Sequence, residues 1–138
     1  MPPILRNILA IITGVLLGGA VNMGFILASP YVIPPPAGAD LTTEEGLKAS
    51  MHLMGPEHFI MPFLAHAAGT LAGAFIAAKL AAANKFTIAL CIGVFFLVGG
   101  IASVKMLPSP LWFSVTDIIA AYIPMAYLGG KLALGNAR

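Results

Sequence analysis

"FIMPFLAHAAGTLAGAFIAAKL", residues 59–80, contains one ionisable side chain, His66, before its closing Lys79. A helix needs roughly 20 apolar residues to cross the hydrocarbon core of a bilayer, and this run supplies them. Working outward from it, three more segments meet the same requirement, at about 8–28, 86–104 and 111–134. The turn "AAANK" separates the second and third segments. The third and fourth are separated by "KMLPSP", where Pro108 and Pro110 stop one helix before the next begins. The first connection, residues 29–58, is far longer. The expected fold is therefore all-α: four transmembrane helices forming a single membrane domain over residues 1–138, with a short amphipathic helix in the first extracytoplasmic loop.

Composition agrees. Hydrophobic residues make up 59% of the 138-residue chain and charged residues 9%, with a mean hydropathy of +0.97. Soluble domains carry about a quarter charged residues, so too few charges remain here to cover a surface facing water. Seven basic and five acidic residues leave a net charge of +2, and the basic residues are scattered. Neither a basic helix nor an aromatic-basic platform is present, which argues against nucleic acid as a partner. One cysteine, Cys91, excludes an internal disulfide and any Cys-based zinc site, and within "ALCIGVFF" it reads as a small core hydrophobe. Arg6 precedes the first apolar run as in a signal peptide, but the run is too long for the apolar region of one and reads as a membrane span.

The basic residues set the expected threading. Arg6 precedes span one, Lys79 and Lys85 flank the second turn, and Lys131 and Arg138 lie near the C-terminus. Asp40, Glu44, Glu45 and Glu57 fall in the long loop. Both termini and the second turn are thus expected in the cytoplasm of an inner-membrane protein, with the acidic loop outside. Lys105, near the outer end of span three, is the exception. It either snorkels outward or pairs with Asp117.

Two stretches echo one another, "AFIAAKLAAAN" (74–84) and "AYLGGKLALGN" (126–136); more weakly, "ITGVLLGG" (12–19) resembles "CIGVFFLVGG" (91–100). The pattern suggests two helical hairpins of the same orientation, related by an axis near the membrane normal.

In the long loop, "SPYVIPPPAGAD" favours extended, polyproline-like chain. "LTTEEGLKASMHLM" then carries a capping box in Thr42 and Glu45, with Leu47, Met51 and Met54 at helical spacing. It reads as a surface helix, a cover for the bundle mouth or a docking face. Met51, His52, Met54 and His58 in "MHLMGPEHFIM" supply thioether and imidazole groups of the kind that suit Cu(I), although their spacing fits no strict metal signature.

Intramembrane ionisable groups need partners. His66 lies roughly 10 Å below the outer entrance at 1.5 Å per residue, on a face shared with Gly69, Thr70, Gly73 and Ala77 that lets another helix approach closely. Asn22, Lys105 and Asp117 fall at similar depth. The candidate cluster is therefore His66, Asp117, Lys105 and Asn22, with Lys105 the first choice of partner for Asp117 and His66 the second. Tyr122 and Tyr127 lie deeper, around a kink expected at Pro124.

No His-Glu-x-x-His motif, nucleophile elbow or phosphate-binding glycine loop is present, so catalysis is not expected. No cofactor is expected either, and His66 has no second histidine within the membrane for haem ligation. The lipid bilayer is the first partner. The expected role is a structural or accessory subunit of a membrane assembly or a homo-oligomer, with a small channel or transporter as the alternative. "GGAVNMGFI", "PFLAHAAGTLAGAFIAAK" and "AAYIPMAYLGGKLA" resemble segments of small uncharacterised four-helix bacterial integral membrane proteins. That resemblance implies an inner-membrane setting and transfers no catalytic or ligand residue.

Overall fold

The computed structural model describes residues 1–135, so the expectations placed on Asn136 and Arg138 lie outside the described residues. The described chain is all-helical: α1 (Pro3–Val32), α2 (Glu44–Ser50), α3 (Ile60–Leu80), α4 (Lys85–Met106), α5 (Leu111–Ala120) and α6 (Ile123–Leu134), with short 3-10 turns at Met51–Leu53 and Pro56–Phe59. Four stretches are long and apolar enough to cross a membrane: α1, the 3-10 turn running into α3, α4, and α5 with α6. The protein is thus a multi-pass membrane protein.

Helix α1 runs further than expected, through Pro30. A proline in the last turn removes only its own N–H, and the chain closes with Ile33 N–H donating to Ser29 O at 2.9 Å. The helix α4 extends through Lys105 to Met106. Cys91 is exposed on α4 and is not a core residue.

At the centre stands α3, packed against α1, α4 and α6. Its contact with α1 is a double glycine seam, Gly14 and Gly18 against Gly69 and Gly73. A Cβ on Gly14 would lie 2.7 Å from both Ala77 Cβ and Gly73 O, and one on Gly73 would lie 2.6 Å from Gly14 O. Likewise, a Cβ on Gly18 would lie 2.6 Å from Gly69 O. Backbone thus meets backbone. Lipid offers no hydrophobic drive for helix association, so close van der Waals contact between small residues must supply it.

The basic end of the bundle is tied by polar groups. Arg6 Nε donates to Leu80 O at 2.8 Å, and Asn7 Oδ1 accepts from Ala82 N–H at 2.8 Å. These bonds serve backbone groups that the end of α3 leaves without helical partners. Asn84 then turns the chain into α4 with a left-handed backbone, φ 52°, a conformation asparagine tolerates better than most residues. Lys79, Lys85 and Lys131 gather at this same end.

The sequence echo has a structural counterpart. Lys79 lies over the Phe75 ring at 5.7 Å, and Lys131 lies over Tyr127 at 5.6 Å. Ala74, Ala77, Ala78 and Ala81 are all buried, as are Ala126, Gly129, Gly130 and Ala133 at the matching positions. The basic half of the bundle is consequently a core built largely of alanine, with Ile88 and Ile92 its large members.

The loop end differs in detail from expectation. Thr43, not Thr42, caps α2, accepting from Gly46 N–H at 2.9 Å. Thr42 is taken by Asp40, whose Oδ1 accepts from its hydroxyl at 2.6 Å and its amide at 2.9 Å. Those bonds, the hydroxyl's first, hold the Asp40 carboxyl below the ordinary carboxylate value. Helix α2 ends at Ser50, earlier than the sequence spacing suggests. Leu47, Met51 and Met54 nevertheless pack together with Phe59 and Phe113 over the ends of α3 and α5.

His58 fixes this loop. Its Nδ1 accepts from Gly55 N–H at 2.9 Å, and its Nε2 donates to Pro34 O at 3.1 Å. Losing two such bonds costs about 1–3 kcal/mol of local stability. His58→Ala is therefore expected to speed amide exchange at Gly55 and proteolysis between residues 34 and 55, leaving the spanning helices intact. Unchanged exchange at Gly55 would show that the loop is held by its apolar contacts alone.

Candidate functional site

His66 and Asp117 lie equally far into α3 and α5, which both begin at the loop end. The His66 imidazole meets the Asp117 carboxylate with Nδ1 2.8 Å from Oδ1 and 2.9 Å from Oδ2. An ionised carboxylate can only accept, so Nδ1 carries the proton. Tyr122 completes the group, its hydroxyl donating to Asp117 Oδ2 at 2.8 Å. The tyrosine ring also stacks on the imidazole, with centroids 5.7 Å apart. Asp117 and Tyr122 are each only 2% exposed. A bare carboxylate at this depth would cost several kcal/mol, and two donors offset that cost through charge-assisted hydrogen bonds.

A helix break makes the third contact possible. Residues five apart in an unbroken α-helix point about 140° away from each other at 3.6 residues per turn, so Asp117 and Tyr122 would not meet. Pro124 has no N–H to offer the carbonyl of Ala120, and the helix is interrupted at Ala121–Tyr122, between α5 and α6. The interruption swings Tyr122 back toward Asp117. Gly100 on α4 makes room for the ring, because a Cβ there would run into the Tyr122 phenol. Pro124 was the visible sign of this geometry in the sequence; the role of Gly100 carried no such sign.

Of the four residues expected to cluster, the structure pairs His66 with Asp117 and places the others apart. Asn22 faces a cavity that His66 also lines, without joining the carboxylate. Lys105 is exposed in the last turn of α4 and makes no ion pair among the described residues. Donors on α3 and beyond the helix break, rather than this lysine, satisfy Asp117. Of the copper candidates, Met51, Met54 and His58 line one cavity, and His52 is not in its wall. Met51 is buried in the apolar cluster of the loop, Met54 packs beside it, His52 is exposed, and both ring nitrogens of His58 are committed. Among the described residues, no three His, Cys, Asp or Glu side chains come together as a metal site.

Two cavities adjoin the triad. The larger, about 370 Å³, runs toward the loop between α1, α3, α4 and α5 and is walled mainly by apolar side chains such as Ile26, Leu47, Met51 and Phe59. The smaller, about 190 Å³, lies deeper, with Asn22, Thr70, Ser103 and Tyr122 in its wall. His66, Gly100 and Ser103 belong to both walls. Thr70 is 1% exposed, and its hydroxyl has no hydrogen-bond partner. Among the described residues, no serine hydroxyl or cysteine thiol is hydrogen-bonded to His66.

Family models, curated proteins and solved structures all failed to match this chain.

Proposed function

We propose that this protein is a non-enzymatic inner-membrane subunit, acting within a homo-oligomer or as an accessory to a larger membrane complex. Both termini and the α3–α4 turn lie in the cytoplasm, and the α2 loop lies outside as a short amphipathic cover. The charge distribution supports this threading. Arg6, Lys79, Lys85 and Lys131 share one end of the bundle, against Lys48 and Lys105 at the other, and the positive-inside rule puts the end richer in Lys and Arg in the cytoplasm.

One observation carries the assembly reading. Helix α1 is 30 residues long and buries only Ala10, Gly14 and Gly18. About 80° around the helix from that buried line, at 3.6 residues per turn, it exposes a second small-residue line, Ala20, Gly24 and Ala28, flanked on one side by Leu16, Met23 and Leu27. Within this bundle, a line of that kind seats a neighbouring helix, and small residues are where membrane helices approach.

Transport is the second reading, favoured by the helix break beside Asp117, since discontinuous helices border the binding sites of many transporters. Conduction through a single chain is opposed by the alanine core of the basic half, beyond which neither cavity continues.

The expected result in mild detergent is a species heavier than one chain, by native mass spectrometry, that Gly24→Leu shifts toward the monomer. Open space surrounds Gly24, so this substitution leaves the bundle intact. A strict monomer with no co-purifying partner overturns the proposal. Ion or solute flux in liposomes, lost in Asp117→Asn, would establish the second reading instead.

A further inference from the structure

We propose that the loop of residues 34–55 is an acid-released lid over the larger cavity, and that His58 is its latch. This device is independent of the assembly face on α1.

The loop walls one side of that cavity with Pro35, Leu41, Leu47, Met51 and Met54, and the spanning helices supply the rest. Its own polar bonds close on themselves. Asp40 N–H donates to Ser50 Oγ at 2.9 Å, and Lys48 pairs with Glu44 at 2.7 Å. Among the described residues, every side-chain hydrogen bond from this loop to the rest of the chain is made by His58. One ring nitrogen holds Pro34, where the loop begins, and the other holds Gly55, where it ends. Apolar contacts of Leu47, Met51 and Met54 with Phe59 and Phe113 add to this hold.

Both partners of the ring are backbone groups with fixed roles. An amide N–H can only donate, so Nδ1 is bare; a carbonyl can only accept, so Nε2 carries the hydrogen. The latched ring is therefore neutral and in one tautomer. Histidine is the side chain that ordinarily gains a proton between about pH 8 and pH 5. A proton on Nδ1 sets two N–H groups against each other and removes the bond to Gly55. Glu57 Oε1 stands 3.5 Å from Nδ1 on a largely exposed side chain, and it accepts the new N–H once the ring turns. That turn draws Nε2 off the Pro34 carbonyl, so both ends of the loop are released together. The closed loop binds one proton fewer than the open one, so the latch holds at neutral pH and is lost as pH falls. Among the described residues, α1, α2 and α4 contribute no titratable side chain to the cavity wall. Helix α3 contributes His66 and α5 contributes Asp117, and these two pair with each other.

The test is amide hydrogen exchange of the full chain in phosphatidylcholine nanodiscs at about pH 8 and about pH 5, with intrinsic exchange rates divided out. Protection of Gly55 and of the α2 amides is expected to fall about tenfold or more at the acid pH, corresponding to roughly one net hydrogen bond. Protection in α3 and α4 should stay unchanged. His58→Gln supplies a residue type that ordinarily makes this return bond in a capping box, and it takes no proton. In that variant, protection should be the same at both pH values. Glu57→Gln keeps the latch but removes the acceptor for the protonated ring, so an equal loss should require a more acidic pH. Four results would each overturn the proposal: α2 already unprotected at the higher pH, a loss confined to Gly55, an unchanged profile in Glu57→Gln, or a pH effect that survives His58→Gln. The last would assign the proton to another group, such as His52 or His66.

Discussion

Gly73→Leu is expected to prevent the bundle from assembling. The position faces the Gly14 carbonyl, which a Cβ alone would approach to 2.6 Å, and the rest of a leucine has nowhere to go. Overpacking a core usually costs about 1–3 kcal/mol because neighbouring side chains give way. The neighbour here is helix backbone. Yielding would mean separating α1 from α3 along the whole seam, so a loss of about 3 kcal/mol or more is expected, beyond the usual range. The measurement is unfolding in mixed dodecyl sulfate micelles followed by circular dichroism. Gly19→Leu is the control: it lies on α1 beside Gly18 but has nothing near its Cβ, so it should match or slightly exceed the parent, since leucine favours helix over glycine. Equal losses in the two variants would mean that the seam does not hold the helices.

Asp117→Ala should produce the second large effect. It leaves the His66 Nδ1–H and the Tyr122 hydroxyl without their acceptor inside the bundle. Two hydrogen bonds to a charged group, at about 1.5–3 kcal/mol each, set the loss at about 3 kcal/mol or more. A double-mutant cycle separates that contact from general disturbance. Tyr122→Phe in the parent forfeits a bond to a charged group, about 1.5–3 kcal/mol. In the Asp117→Ala background the bond is already gone, so the same substitution should cost far less, a coupling of about 1–3 kcal/mol. Strictly additive losses would show that Tyr122 and Asp117 act independently, and the three-residue group would have to be abandoned.

Cap and partner choices mark where sequence reasoning reached its limit. Thr42 and Thr43 offer the same hydroxyl one residue apart, and the Asp40 side chain, by taking Thr42, leaves the cap to Thr43. Spacing within a segment cannot show such competition. Lys105 and His66 were both plausible neighbours for Asp117 by depth, because depth follows from counting residues along a span. Which side of a helix faces its neighbour is a separate question, answered by packing. The small-residue face bearing Gly69, Thr70, Gly73 and Ala77 was legible because it recurs at helical spacing, and all four residues are buried.

Apolar run lengths and prolines were enough to read the solvent, the number of spans, the gathering of basic charge at the ends that they join, and the helix break before Pro124. Each is a property of a continuous segment, set by apolar run length or by a missing N–H. Tertiary structure alone decided that His66, 51 positions away, and Tyr122 would serve Asp117 while Lys105 stayed outside. Partner choice depends on how each helix is rotated about its axis. That rotation is set by the close approach of glycine and alanine surfaces from different parts of the chain.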